Sequence, residues 1–296
     1  PVKFNLTPRI DMARMDEILE ERQRLLAAPE PGITEQRKSD SNSKAPLLLI
    51  IEDHPDLRHL LFSFLRDRYR ILQARDGQEG LELARDKIPD LIISDIMMPK
   101  MDGVELTRIL KNDINTSHIP VILLTVKHET VNRILGFEIG ADDYLSKPFE
   151  YEELRVRIEN LINNRKKLQE RFSKEIHVKP TDITITSLDA DFLEKCIKIV
   201  EEHIDDAELN VDLFCKKIGM SRTLAYQKVK SISGFSLKEF ITHIKLKRAA
   251  QYFVDSDLNV GEIAYMLHFS DHAHLSRLFK KAFGVSPIEY RKRNKK

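Results

Sequence analysis

The feature that most constrains this chain is a set of short apolar runs, each bounded by polar residues or proline and separated by helical patterns. Leu47–Ile51 is one run, 91–93 with flanking Ile96 a second and 121–124 a third. Between them, 57–65, 77–84, 104–110 and 131–138 repeat apolar residues at helical spacing. Runs this short that do not alternate with polar residues suit strands buried on both faces. Strands alternating with helices imply a parallel sheet wrapped by helices. The expected fold of this segment is α/β and doubly wound, and functional groups of such sheets gather at the carboxyl ends of the strands.

The residues that end the runs are distinctive. The first is followed by Glu52 and Asp53. PDLIISD ends in Asp95, IPVILLT ends in Thr125, and ADDYLSKPF carries a weaker strand that ends at Lys147. A parallel sheet brings these ends to one rim. Three carboxylates there repel one another unless a cation joins them, and hard oxygen ligands with room for water and phosphate suit Mg²⁺. A carboxylate beside Mg²⁺ can attack a phosphoryl group and form an acyl phosphate. The transferring group spreads negative charge over its equatorial oxygens, which a metal, a lysine and a hydroxyl stabilise. The reading is Asp95 as nucleophile, Glu52 and Asp53 as holders of Mg²⁺, and Lys147 and Thr125 as binders of phosphoryl oxygens. Singly, an Asp ending a strand is more often a helix cap and a Lys-Pro more often a turn. The signal is their joint occurrence in order.

With those residues in view, 46–165 resembles a response-regulator receiver domain: LLLIIEDHPDLR, PDLIISDIMMPKMDG, IPVILLT and GADDYLSKPF match that family's blocks. The resemblance implies five parallel strands and phosphorylation of Asp95 by a histidine kinase. It implies Mg²⁺ ligation by Asp53, Asp95 and the backbone carbonyl of Met97, with Glu52 assisting. It implies a switch in which Thr125 moves toward the phosphoryl group and Tyr144 turns inward, and a cis peptide at Lys147-Pro148. Val126 departs from the family, which usually has a small residue after the threonine.

From 188 onward the pattern is helical, broken at Gly219, Gly234 and Gly284, and two similar units recur at 211–230 and 260–280. In the first, Val211, Phe214 and Ile218 form an apolar stripe, Gly219 suits the left-handed end of a helix and Ser221 the cap of the next. Leu224 and Val229 are expected to face inward, leaving Arg222, Thr223, Tyr226 and Gln227 on other faces. In the second, Ile263, Ala264 and Leu267 form the stripe and Asp271 the cap. Leu275, Leu278 and Phe279 face inward, leaving His272, Ala273, Ser276 and Arg277. The N-terminal half of such a second helix meets base edges, where Arg suits guanine, Gln adenine, and Thr or Ala methyls thymine. Lys228, Lys230, Lys247, Arg248, Lys280, Lys281 and the tail 291–296 are candidate phosphate binders. His268, Asp271, His272 and His274 cluster, and the turn among them favours capping and surface roles over a metal site.

Residues 187–292 resemble an AraC-type DNA-binding domain. FSLKEFITHIKLKRAAQYF matches its joining helix and HFSDHAHLSRLFKKAFGVSPIEYR its second unit. The resemblance implies an all-α domain of seven helices with two helix-turn-helix units, whose recognition helices enter successive major grooves of double-stranded DNA roughly 34 Å apart. His268 stands where that family usually has glycine. A left-handed non-glycine residue costs on the order of 1 kcal/mol.

Charge agrees with this division. Residues 46–163 hold 15 Lys+Arg and 21 Asp+Glu, a balance of −6, and residues 215–296 hold 17 and 6, a balance of +11. A basic end on a nearly neutral chain suits nucleic acid, although a solvated basic face fits the charge alone as well. Residues 1–45 are expected to be the end of a preceding kinase-like domain and a linker: 1–8 alternates like a strand end, 9–28 reads as a charged helix and 29–45 as a linker. The receiver is placed at 46–165, a connector at 166–186 and the DNA-binding domain at 187–296. No apolar run approaches the ~20 residues of a membrane span, and nothing resembles a signal peptide. Cys196 and Cys215 are expected as buried thiols. The start on Pro1 predicts a longer parent.

The combination resembles the cytoplasmic end of hybrid two-component proteins. It implies a phosphorylation-dependent transcription regulator that is not itself an enzyme and dimerises on activation. Its phosphodonor would be a histidine kinase domain of the same polypeptide. The location would be cytoplasmic, with the parent anchored in the inner membrane. The alternative is a DNA-binding protein whose receiver is a phosphorylation-independent dimerisation platform.

Overall fold

A computed structural model describes residues 45–125, 140–175, 179–184 and 186–294. The expected strand and helix over 1–28, the helix over 131–138, Val126 and most of the 29–45 linker lie outside the described residues. The chain divides into two compact units, Pro1–Ile162 and Asn163–Lys296.

The first unit is built on strands β1 (Leu47–Ile51), β2 (Arg70–Ala74), β3 (Leu91–Asp95), β4 (Val121–Thr125) and β5 (Asp143–Ser146), with helices α1 (Pro55–Leu65), α2 (Gly77–Lys87), α3 (Gly103–Asn112) and α4 (Tyr151–Lys174). All four strand pairs are parallel, in the order β2-β1-β3-β4-β5. Because side chains alternate along a strand, Leu48 and Ile50 join a core with α1 and the start of α4, while Leu49 and Ile51 join one with α2 and α3. Both faces are covered, which is why these runs are apolar at every position. The strand that the apolar runs do not mark is β2. It pairs with β1 at the edge of the sheet, and in its RILQA sequence Arg70 and Gln73 are exposed, Ile71 and Leu72 half-buried and Ala74 buried. The buried pair Lys111–Asp142 (2.7 Å) ties the end of α3 to the start of β5, and Asp142 also accepts the Val121 N–H at 2.8 Å.

The second unit holds the latter half of α4, a 3₁₀ turn at Pro180–Asp182 and seven helices: α5 (Ser187–Glu202), α6 (Val211–Ile218), α7 (Arg222–Ser233), α8 (Leu237–Asp255), α9 (Val260–Met266), α10 (His272–Phe283) and α11 (Pro287–Asn294). Thus 163–174, which the sequence divides between receiver and connector, packs with the helical unit. One core collects Phe172, Phe192, Phe214 and Phe240 around α5 to α8. A second collects Ile204, Phe253, Ile263, Leu275 and Phe279 around α8 to α11. Cys196 and Cys215 are buried free thiols, and burial pushes both thiol pKa values up.

His243 on α8 sits in the first core, its Nε2 3.2 Å from the Phe172 carbonyl oxygen, among the rings of Phe172 and Phe235. Burial, and then the neighbouring Lys247, push it down to about 4, against the weaker opposing effect of the Phe172 carbonyl. A lowered folded-state pKa means that the folded domain binds fewer protons than the unfolded chain. The stability is therefore full above about pH 6.5 and is lost as pH falls toward about 4. The gap is worth about 3 kcal/mol. We expect the urea midpoint of the helical unit to fall across that window, and His243→Gln to flatten the dependence. An unchanged slope in the variant would place the acid sensitivity elsewhere.

Candidate functional site

In the first unit the strand order reverses between β1 and β3, and the crevice at the carboxyl ends of those strands is where such sheets bind ligands. Glu52 and Asp53 follow β1, and Asp95 ends β3. One carboxylate oxygen from each lies within 4.8 Å of the others, the one group of three or more candidate metal ligands among the described residues. Glu52 and Asp95 are buried and Asp53 is exposed. Lys147, just beyond β5, places its Nζ 2.9 Å from Glu52 Oε2 and 2.9 Å from Asp95 Oδ2. Its peptide to Pro148 is cis, as the resemblance implies. Thr125 is buried at the end of β4, where its carbonyl oxygen accepts the Lys147 N–H at 2.5 Å.

Local contacts hold the Asp95 and Glu52 carboxylates. Asp95 Oδ1 accepts the Ile96 N–H at 2.8 Å. Glu52 Oε1 accepts the His54 N–H at 3.3 Å, and Arg58 donates to the Glu52 carbonyl oxygen at 2.6 Å. Burial raises the Glu52 pKa against the lowering effect of Lys147, and Asp95 adds to the rise. Carboxylates in such proximity, with one ammonium, leave net negative charge at the rim. Three hard oxygen donors of this kind match the chemistry of Mg²⁺. Met97 lies in the loop after β3 and exposes 69% of its surface. Tyr144 on β5 is half-buried against the α2–α3 core, and burial raises its pKa.

Gly103 has a role that its place in the sequence does not reveal. A side chain there would start 2.1 Å from the Asp95 carbonyl oxygen, so α3 begins in contact with the backbone of Asp95. A glycine in the motif is visible in the sequence, but its distance to that oxygen is not.

The helical unit shows the two expected helix–turn–helix arrangements with their caps. Gly219 is left-handed (φ 79°), Ser221 caps α7 and Asp271 caps α10. His268 is also left-handed (φ 52°), with its Nε2 2.9 Å from the Asp205 carbonyl oxygen. On α7, Arg222, Thr223 and Tyr226 are exposed and Gln227 half-buried; on α10, His272, Ala273, Arg277 and Lys280 are exposed and Ser276 half-buried. Five candidate phosphate binders have other partners: Lys230 donates to the Tyr226 hydroxyl at 2.9 Å and Arg248 to Gln251 Oε1 at 3.1 Å. Lys228 is buried in an ion pair with Asp189, and Lys247 lies 4.4 Å from the centre of the Phe172 ring. Arg291 donates to the carbonyl oxygens of Phe253 and Leu258. The spacing of 225, 228, 229 and 232 puts Lys228 on the inward face, a clue that its charge obscures.

Residues 48–159 match the response regulator receiver domain family, and residues 214–293 match a helix-turn-helix domain family. This chain is a receiver domain joined to an AraC-type helix-turn-helix domain. Among curated relatives, Histidine kinase P4 of Formosa agariphila is 41% identical over 261 residues, covering 88% of this chain and 18% of that protein. The DNA-binding dual master transcriptional regulator RpaA of Synechocystis sp. is 36% identical over 157 residues, covering 52% of this chain and 65% of that protein. The chain therefore spans less than two thirds of each. Among solved structures, the receiver domain of a signal transduction histidine kinase from Syntrophus aciditrophicus is 37% identical, with TM-score 0.39, covering 40% of this chain and 91% of that one. The matched segments are a response-regulator receiver and a helix-turn-helix domain. No helix among the described residues is long and apolar enough to cross a membrane.

Proposed function

We propose that Asp95 accepts a phosphoryl group from a histidine kinase and that phosphorylation gates sequence-specific binding of double-stranded DNA by the helical domain. The observation that carries this reading is the rim itself: Glu52, Asp53 and Asp95 within 4.8 Å of one another, with Lys147 touching two of them. An Asp95 carboxylate oxygen attacks the phosphorus of the phosphohistidine. The P–O bond forms, the P–N bond breaks and the histidine ring leaves with the electron pair. Asp53, Asp95 and the Met97 carbonyl, with Glu52 assisting, would hold Mg²⁺, which supplies positive charge against the equatorial oxygens. Lys147 leaves its carboxylate partners to bind a phosphoryl oxygen, Thr125 donates to another, and Tyr144 turns inward behind it.

The kinase would be a domain of the same polypeptide, a reading supported by the likeness to Histidine kinase P4. The location would be cytoplasmic. Phosphorylation would shift the population toward a homodimer, so that two DNA-binding domains share one operator. Arg222, Thr223, Tyr226 and Gln227 on α7, with His272, Ala273, Ser276 and Arg277 on α10, would meet the bases, and Lys280 a phosphate.

The test is phosphoryl uptake by intact mass, after incubation with Mg²⁺ and a small-molecule phosphodonor. The native chain is expected to gain one phosphoryl group and Asp95→Ala none, and DNA affinity should rise only in the native chain. Equal uptake in both would remove Asp95 from the role. No uptake in either would leave the receiver as a dimerisation platform.

A further inference from the structure

The second half of α4 does more than leave the receiver. Arg165 Nε donates to the Ser231 carbonyl oxygen at 3.0 Å, its terminal nitrogen donates to Ser231 Oγ at 2.6 Å, and Gln169 Nε2 donates to the same carbonyl at 2.7 Å. Ser231 lies in the last turn of α7, where carbonyl oxygens have no partner within the helix. A guanidinium there also suits the negative end of the helix dipole. The turn closes on Gly234, left-handed at φ 80°, and a side chain at that position would start 3.4 Å from Gln169 Cβ. One turn further along α4, Phe172 is fully buried and stacks on Phe240 of α8 at 6.0 Å, and its carbonyl oxygen meets His243 Nε2. The same helix thus grips the end of α7 and the flank of α8.

The reading residues of α7 lie at its other end. Twelve residues make a rod of roughly 18 Å. A tilt of a few degrees at Ser231 therefore moves the N-terminal turn by about 1 Å, enough to break base-edge hydrogen bonds. We propose that Arg165 and Gln169 are positioning residues for the first recognition helix: the part of α4 that packs in the helical unit sets where α7 presents Arg222, Thr223, Tyr226 and Gln227. This rests on reading α7 as a recognition helix.

The experiment uses the full chain and a duplex selected by it from a random-sequence pool. Each half-site is then replaced in turn, and the half-site whose replacement penalty Arg222→Ala and Gln227→Ala abolish is assigned to α7. For Arg165→Ala/Gln169→Ala we expect affinity for the selected duplex to fall about tenfold, of the order set by two lost contacts. Replacing the α7 half-site should then cost less than about twofold more, while replacing the α10 half-site costs what it does in the native chain. Arg165→Lys, which keeps the charge at the helix end, should recover part of the loss. A merely structural role would weaken both half-sites together, and that result, or penalties unchanged from native, overturns the proposal. Should the double variant fail to fold, Gln169→Glu, which sets a carboxylate against the Ser231 carbonyl, is read in the same way. If the native chain selects no duplex, or Arg222→Ala and Gln227→Ala change neither penalty, the recognition reading falls and takes this inference with it. If those two respond and the α4 variants do not, this inference alone falls.

Discussion

Asp189→Ala is expected to destabilise the helical unit by about 3–5 kcal/mol, the cost of breaking a buried ion pair by removing one partner. Asp189, in the first turn of α5, pairs with Lys228 of α7, and the two side chains are 3% and 1% exposed. The Lys228 ammonium also lies 5.7 Å from the centre of the Phe192 ring. Without the carboxylate, the Lys228 ammonium stays beside the Phe192 ring at a site with little water to solvate it. Removing both charges behaves differently: Asp189→Leu with Lys228→Met should recover most of the loss, because an apolar pair of similar volume fills the same space. Hydrogen exchange resolved by segment separates this effect from the receiver, whose strands should be unchanged. A loss below about 1 kcal/mol, the range of surface pairs, would contradict the burial. The double variant also tests DNA binding. Since Lys228 faces the core, its removal in a folded protein should leave affinity within about twofold, unlike the loss of a phosphate contact.

Gly103→Ala is expected to slow phosphoryl uptake about 100-fold, the size of effect that follows from a misplacement of about 1 Å at a reacting group. The new methyl would start 2.1 Å from the Asp95 carbonyl oxygen and 3.1 Å from the Ile96 Cα. Backbone cannot yield as a flexible side chain does, so either α3 or the end of β3 must move. Gly103 N–H donates to the Ile96 carbonyl oxygen at 2.9 Å, which ties the two segments together. The Ile96 N–H in turn holds Asp95 Oδ1, so the displacement passes directly to the carboxylate. Overpacking of this kind costs about 1–3 kcal/mol in stability, too little to unfold a typical domain. The comparison of initial rates by intact mass is therefore made on folded protein. Uptake within about threefold of native would mean that α3 moves away and leaves Asp95 in place.

Much of the acidic site was legible because its residues sit at strand ends, and strand ends are marked by a change from apolar to polar residues. The order Glu52-Asp53, Asp95, Thr125, Lys147 could be read without coordinates, since a parallel sheet brings those ends to one rim whatever the details of packing. The helix caps were legible for a similar reason. Gly219, Ser221 and Asp271 act on backbone within three or four residues of themselves, so their chemistry is local. The left-handed His268 stands where the AraC-type resemblance implies a glycine. By contrast β2 has no continuous apolar run, because an edge strand is buried incompletely.

What the sequence determined by itself was therefore the periodic and the local: α/β followed by all-α, the polar residues that close each strand, and the two helix–turn–helix units with their caps. Only the tertiary structure decided which distant groups meet. It turned Lys228 from a candidate phosphate binder into one half of a buried pair, set Gly103 against the Asp95 backbone, and laid Arg165 and Gln169 on the end of α7. Periodicity tells which face of an element is buried. It carries no information about what lies against that face, because that partner is set by segments tens of residues away whose packing must be satisfied at the same time.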